Sequence, residues 1–301
     1  MCKYSIVYSK DIHSVLIYNL FSISLPEHYI TKPKKKVGAL TDMGQKGIVT
    51  DIVRGSTHDG PGIRTVIFLK GCPLNCVWCH NPECICADIQ ILEYPDKCVG
   101  CGMCEQGCYA GAKIVCGKEM TVKDVMETVI SDKGYYAHNG GVTISGGEPM
   151  LQLGFTSQLI AGCKAEGIHT AVETSMIFYD PAVFSKLDLI MFDLKLPDDE
   201  RHKKWTGVGV ERIKENILKA SKLGIPMLAR TPVIPGVNCD TTTISQISDF
   251  LLSIPAVYKY ELLPYHPLGI SKRMALHMPV TEFEIPTKEC MEELNHYAFL
   301  R

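Results

Sequence analysis

From Gly47 to the end of this 301-residue chain, short β-branched and apolar runs alternate with amphipathic helical stretches, and this alternation narrows the possible folds sharply. The runs fall at residues 48–53, 64–70, 142–145, 169–173, 187–193, 226–231 and 258–263. Between them lie patterns with a 3.6-residue period. The clearest puts Val122, Val125, Met126, Val129 and Ile130 on one face behind Thr121, with Asp124 placed to complete an N-terminal capping box. Further helices are expected from Phe155, Val210, Asp240 and Thr287. Strands alternating with helices favour an α/β fold with parallel strands. At ~30 residues per strand–helix–strand step, residues 48–301 without the cysteine-rich stretch 84–116 hold about six or seven units, fewer than a closed eight-fold barrel. The expectation is a partial (β/α)6 TIM-like barrel.

Polar or glycine-rich clusters follow the ends of five of these runs: Gly146-Gly147-Glu148-Pro149, Glu173-Thr174-Ser175, Asp193-Leu194-Lys195, Arg230-Thr231 and Tyr265-His266. In sheets of parallel strands that edge is where ligands bind, so five clusters there predict one site.

The net charge of -2 and the absence of a Lys/Arg cluster beyond residues 34–36 argue against nucleic acid as a partner. The apolar stretch 14–25 (SVLIYNLFSISL) is too short to span a bilayer, and neither a basic cluster before it nor a small-x-small site after it marks a signal peptide. Residues 1–42 read as an N-terminal extension outside the fold, with Met43 opening the folded unit. Fourteen tightly clustered cysteines suit metal binding in a reducing compartment better than a disulfide framework. A cytoplasmic protein without a membrane partner is expected.

Directly after the run 64–70 comes Cys72-x3-Cys76-x2-Cys79, with Trp78 before the last cysteine. One reading is a zinc knuckle completed by His80 or a distant ligand, although zinc sites prefer two paired cysteine units. The other is a four-iron cluster held by three thiolates, which leaves one iron open to a small molecule. The pattern resembles the radical S-adenosylmethionine (SAM) superfamily. Residues 57–65 (THDGPGIRT), 68–73 (FLKGCP), 79–83 (CHNPE), 140–149 (GGVTISGGEP), 207–208 (GV), 232–236 (PVIPG) and 262–269 (LLPYHPLG) further resemble the activating enzymes of glycyl radical enzymes, over roughly residues 45–280.

That resemblance implies roles. Cys72, Cys76 and Cys79 would hold the cluster that breaks S-adenosylmethionine, with Trp78 beside it. Gly146, Gly147 and Glu148 match the motif that receives the cofactor's amino group. Glu173, Thr174, Met191 and Asp193 match positions that hold a monovalent cation in pyruvate formate-lyase activase, a member of the family, and Lys195 sits near them. Asp193 and Lys195 read equally well as an ion pair at the barrel rim. Arg230 and His266 match residues near the cofactor's carboxylate and ribose. In many relatives Glu-Thr is followed by one residue and then Gly, where this chain has Ser175-Met176.

Cys98-x2-Cys101-x2-Cys104-x3-Cys108 is the bacterial ferredoxin ligand run and predicts one auxiliary four-iron cluster in a small ferredoxin-like insert, residues 84–116. The barrel then comprises residues 43–83 and 117–301. Tyr109 stands where proline usually follows the run, so the fourth ligand is Cys108 or else Cys116, Cys84 or Cys86. Cys2, Cys163, Cys239 and Cys290 show no partner pattern. The implied activity is reductive cleavage of S-adenosylmethionine to a 5′-deoxyadenosyl radical that takes a Cα hydrogen from a glycine of a partner glycyl radical enzyme. A flavodoxin or ferredoxin would supply the electron. The rivals are another radical SAM reaction, on a peptide or a small molecule, and a pure iron–sulfur electron carrier.

Overall fold

The computed structural model describes residues 42–104, 107–137 and 139–298. The apolar stretch 14–25 and most of the expected extension lie outside the described residues, as does Cys2. The strands are β1 (Lys46–Ser56), β2 (Arg64–Leu69), β3 (Gln90–Glu93), β4 (Lys113–Cys116), β5 (Lys118–Thr121), β6 (Gly141–Gly146), β7 (His169–Thr174), β8 (Leu189–Asp193), β9 (Met227–Val233) and β10 (Val257–Pro264). Eight of them form one sheet in the order β10-β9-β8-β7-β6-β2-β1-β5. From β2 to β10 every neighbouring pair is parallel, which makes six parallel strands. Among the described residues β10 pairs only with β9 and β5 only with β1, so the sheet is a partial barrel.

β1 departs from the parallel expectation: it runs antiparallel to β2, and β5 antiparallel to β1. The physical reason is length, because the link 57–63 is shorter than the dozen or so residues a parallel crossover needs. β8 begins at Leu189 rather than at residue 187. Leu187 N–H closes the preceding turn on the Phe184 carbonyl, whereas Asp188 meets β7 through one backbone bond, its N–H donating to the Thr170 carbonyl at 2.9 Å, while its carboxylate, rather than its carbonyl, accepts from Thr170 N–H at 2.8 Å.

The helices are α1 (Val122–Ser131), α2 (Leu153–Ala165), α3 (Pro181–Phe184), α4 (Asp199–Thr206), α5 (Glu211–Ser221), α6 (Thr241–Leu252), α7 (Gly269–Ala275) and α8 (Lys288–Tyr297). Three begin where side-chain caps predict. Thr121 and Asp124 make the reciprocal capping box of α1, Asp240 caps α6 by accepting from Thr243 N–H, and Thr287 caps α8 by accepting from Cys290 N–H. α3, α4, α7 and the strands β3 to β5 had no counterpart in the sequence reading. β3 and β4 form a separate two-stranded antiparallel sheet with Gln90 opposite Cys116 and Glu93 opposite Lys113.

Strand residues alternate in side. Val172, Ile190, Phe192 and Ala229 join the large core beneath the helices, with Leu159, Ile160, Ile217 and Ile247. On the concave side Ala171, Leu189, Met191 and Leu228 form a small apolar plug. Two residues further along the same face, β7, β8 and β9 present Glu173, Asp193 and Arg230. The period of two that builds the plug therefore also sets charged groups above it, at the strands' C-terminal ends.

Candidate active site

A cavity of about 600 Å³ opens at those strand ends. Its lining brings together Cys72, Cys76, Trp78, Cys79, Gly146, Gly147, Glu173, Thr174, Asp193, Lys195, Arg230 and His266, with His58, Asp59, His80, Ser145, Ser175 and Met191 between them. Of the expected site residues outside the insert, Glu148 alone has no part in the lining.

The three-cysteine loop leaves β2 at Gly71 and is fastened on both sides. Cys72 N–H donates to the Ile85 carbonyl at 2.9 Å, and Asn75 N–H to the Thr206 carbonyl at 2.7 Å. From outside, α7 grips it: Lys272 Nζ donates to the His80 carbonyl at 3.1 Å and to Asn81 Oδ1 at 3.2 Å, and Arg273 Nη2 donates to the Cys76 carbonyl. Burial raises all three thiols, Cys76 and Cys79 push Cys72 up further and Cys79 does the same to Cys76; Cys76 is pushed up to about 12, with Lys195 and Arg273 pulling it down. Among the described residues no three His, Cys, Asp or Glu side chains converge on a single-ion site. Three soft donors around one wall of a shared cavity, with cations nearby to offset thiolate charge, fit a multi-iron cluster. Trp78 packs beneath the loop, its ring 6.5 Å from that of Trp205 and 6.4 Å from that of Phe283.

Opposite the thiols stands a charged row. Glu173 accepts from Ser145 Oγ at 2.6 Å and from Arg230 Nη1 at 2.5 Å. Arg230 continues through Nε to Glu261 at 3.2 Å and through Nη2 to the His58 carbonyl at 3.0 Å. Burial pushes the Glu173 carboxyl up, and the Arg230 guanidinium opposes that shift. Lys195 Nζ lies 2.7 Å from Asp193 Oδ2, so these two are an ion pair and also part of the cavity wall. His266 meets His80 edge to face, ring centroids 4.3 Å apart, and burial followed by the His266 charge lowers His80 to about 4.

Gly146 has φ +113, and a Cβ there would stand 2.1 Å from Leu69 N, which only glycine tolerates. The side chain of Glu148 turns beneath the floor. It is fully buried and accepts from Thr174 Oγ1 at 2.9 Å, Ser175 N–H at 2.9 Å, Ser175 Oγ at 2.5 Å and Met150 N–H at 3.2 Å. Its carboxylate thus shapes the turn after β7 and leaves ligand contact to its neighbours. That turn also holds Met176 at φ +60, the position where many relatives carry glycine. Met176 N–H donates to Thr174 Oγ1 at 3.0 Å and its carbonyl accepts from Asn216 Nδ2 at 2.9 Å, which hold the left-handed backbone in place.

A second cavity, of about 250 Å³, is lined by Cys98, Cys101, Cys104 and Cys108 together with Pro95, Met103, Ala112 and Lys113. Ala112 N–H donates to Cys108 Sγ at 3.2 Å, and the backbone N–H of Lys113 is the main cause of a lowered Cys108 thiol. Cys84 and Cys116 lie elsewhere, both buried, Cys84 beside Thr50 Oγ1 and Cys116 beside the Glu83 carbonyl; Cys86 does not line the cavity. The sequence reading missed the α7 side chains, Asp59, Glu261 and the contact between Cys239 and Cys290, whose sulfurs are 2.8 Å apart. No spacing rule links positions 51 residues apart, and α7 carried no periodic signal.

Comparison with known proteins agrees with this geometry. The sequence pattern of the radical SAM superfamily matches residues 66–243, more than half of the chain. The (2S)-3-sulfopropanediol dehydratase activating enzyme of Klebsiella oxytoca is 37% identical over 275 residues, covering 77% of this chain and 86% of that protein. The trans-4-hydroxy-L-proline dehydratase activating enzyme of Clostridioides difficile is 34% identical over 287 residues, covering 82% and 94%. The crystal structure of a radical SAM methyltransferase from Sphaerobacter thermophilus shares the fold, with a TM-score of 0.50 at 13% identity over 78% of this chain and 63% of that one. The chain belongs to the radical SAM superfamily and, within it, to the activating enzymes of glycyl radical enzymes.

Proposed function

We propose that this protein binds S-adenosylmethionine across the cavity of about 600 Å³ and uses it to place a radical on a glycine Cα of a partner glycyl radical enzyme. The observation that carries this reading is the sharing of one cavity by three thiols and a facing row of charged side chains. Cys72, Cys76 and Cys79 would hold a four-iron cluster, which when bound and reduced supplies the electron that breaks the sulfonium bond. Gly146 and Gly147, which pack tightly against the backbone of Leu69, Gly71 and Cys84, line the cavity and present their backbone to the cofactor's amino group. Lys195 and Arg230 bring positive charge for its carboxylate, and His266 with His80 forms an aromatic wall on the ribose side. Glu148 acts indirectly by holding Thr174 and Ser175 in place. A monovalent cation among Glu173, Thr174, Met191 and Asp193 belongs to the same reading; it would share the Asp193 carboxylate with Lys195.

Residues 84–116 are proposed as a separate insert carrying one auxiliary four-iron cluster on Cys98, Cys101, Cys104 and Cys108. Four sulfurs around one cavity support this set, and the backbone donor on Cys108 Sγ supports Cys108 as the fourth ligand over Cys84, Cys86 or Cys116. A flavodoxin or ferredoxin is the proposed electron donor, in the cytoplasm. Among the described residues no helix is long and apolar enough to cross a membrane.

The test is anaerobic reconstitution, reduction, and measurement of 5′-deoxyadenosine and of a glycyl radical signal on the partner. Cys76→Ala should abolish cleavage, whereas Cys101→Ala should remove only the auxiliary cluster's iron. Absence of cleavage by the reconstituted wild type with its native partner present overturns the reading.

A further inference from the structure

Arg273 is a buried cation without an ion-pair partner among the described residues. Its side chain is 4% exposed, and among the described residues no carboxylate forms an ion pair with it, although Lys272 beside it pairs with Glu83 at 2.6 Å. Its partners are two carbonyl oxygens, of Cys76 through Nη2 and of Pro279 through Nη1 at 3.2 Å, while Nε is buried with no partner. A guanidinium held out of water is strongly disfavoured unless an opposite charge compensates it. Its anchor identifies the missing charge. Arg273 grips the backbone of a cysteine in the proposed cluster loop, and a four-iron cluster on three thiolates is an anion that gains one more negative charge on reduction.

We propose that Arg273 is the built-in counter-charge of the cluster on Cys72, Cys76 and Cys79, and that it raises that cluster's reduction potential while its contact to the Cys76 carbonyl positions the loop. This rests on the reading above that those cysteines hold a cluster. The step concerned is a one-electron reduction by an external low-potential reductant, and Arg273 acts on it only through its field. Positive charge beside the cluster favours the more negative reduced state, so removing it makes reduction harder. Lys272 serves the same loop differently, because its charge is already met by Glu83.

The test compares full-length wild type, Arg273→Gln and Arg273→Lys after anaerobic reconstitution, by redox titration followed by electron paramagnetic resonance. The relevant signal is the one that changes when S-adenosylmethionine is added. Arg273→Gln should show at least a tenfold lower ratio of reduced to oxidised cluster at a fixed potential, about 59 mV for one electron. Arg273→Lys, which keeps charge but loses the fork, should stay close to wild type. Equal midpoints in wild type and Arg273→Gln at equal iron content overturn the proposal. So does loss of the signal in both variants alike, which would assign Arg273 a purely structural grip. A wild type with no signal responsive to S-adenosylmethionine would instead overturn the cluster reading itself.

Discussion

Arg230 Nη1 and Glu173 Oε1 stand 2.5 Å apart across β8, the strand that separates their own strands β9 and β7. Met191 and Asp193 of β8 are in register with Glu173 and Arg230 respectively, so the pair bridges over the strand from both sides. Neither member is free to reach full solvent. Arg230→Met should therefore leave the buried Glu173 without its cation and cost about 3 kcal/mol of stability, read as a shift in the denaturant midpoint. Arg230→Met combined with Glu173→Gln should recover part of that loss. No recovery in the double variant would mean that Arg230 acts through Glu261 or the His58 carbonyl instead.

Glu148 offers a way to separate shaping from binding. Removing its carboxylate strands the hydroxyls of Thr174 and Ser175 and the N–H of Ser175, so Glu148→Ala should cost about 2–3 kcal/mol and slow S-adenosylmethionine cleavage. The iron content of the protein should not change, since no bond from Glu148 reaches the cysteine loop's side chains. Glu148→Gln, which keeps one acceptor oxygen, should fall between. Calorimetry with iron analysis on the same preparations checks both halves.

At Gly269 the contact is backbone against backbone. A Cβ there would lie 2.2 Å from the Cys79 carbonyl oxygen, far inside contact distance. Gly269→Ala must push α7 away from the cysteine loop, which loosens the grip of Lys272 and Arg273 together. Reconstituted Gly269→Ala should bind less iron at the three-cysteine site and cleave S-adenosylmethionine about tenfold more slowly, with its circular dichroism unchanged. Full iron occupancy would show that the loop holds without α7.

Asp132 carries the clearest pH signature away from the site. Its carboxylate accepts from Arg54 Nε at 2.9 Å and Thr65 Oγ1 at 2.7 Å, and Arg54 first of all holds its pKa below the ordinary 3.8. A carboxyl lowered by folding stabilises the protein above its unfolded pKa and loses that contribution as pH falls through the folded value. Wild type should thus weaken on acidification below about pH 3.8. Asp132→Asn should be destabilised at pH 7, by about 1 kcal/mol because Arg54 is more than half exposed, with a smaller gap at pH 3. Denaturant midpoints at the two pH values measure it; an equal gap at both would remove the charge from the explanation.

Much of the architecture was legible because it depends on local pattern. Each of the seven expected strands overlaps a strand of the structure, and Thr121, Asp240 and Thr287 cap the helices they were expected to start. Caps and periodicity are satisfied within a few residues, so a window of sequence contains the whole argument. The antiparallel entry of β1 was missed, although the short link 57–63 carried the signal. α4 and α7 were missed because short polar helices lack an apolar stripe of their own; tertiary contacts hold them.

What the sequence determined by itself is the chemistry available: three thiols after a strand, a ferredoxin-type run, and polar or glycine-rich clusters at five strand ends. Only the tertiary structure decided which of these groups meet. It turned Glu148 under the floor, gathered Cys98, Cys101, Cys104 and Cys108 around one cavity while leaving Cys84 and Cys116 outside it, and set Arg273 against Cys76, 197 positions away. The reason is that burial and hydrogen-bond satisfaction are settled by packing between distant segments. A side chain's neighbours there are set by the crossing of strands and helices, which no spacing along the chain encodes.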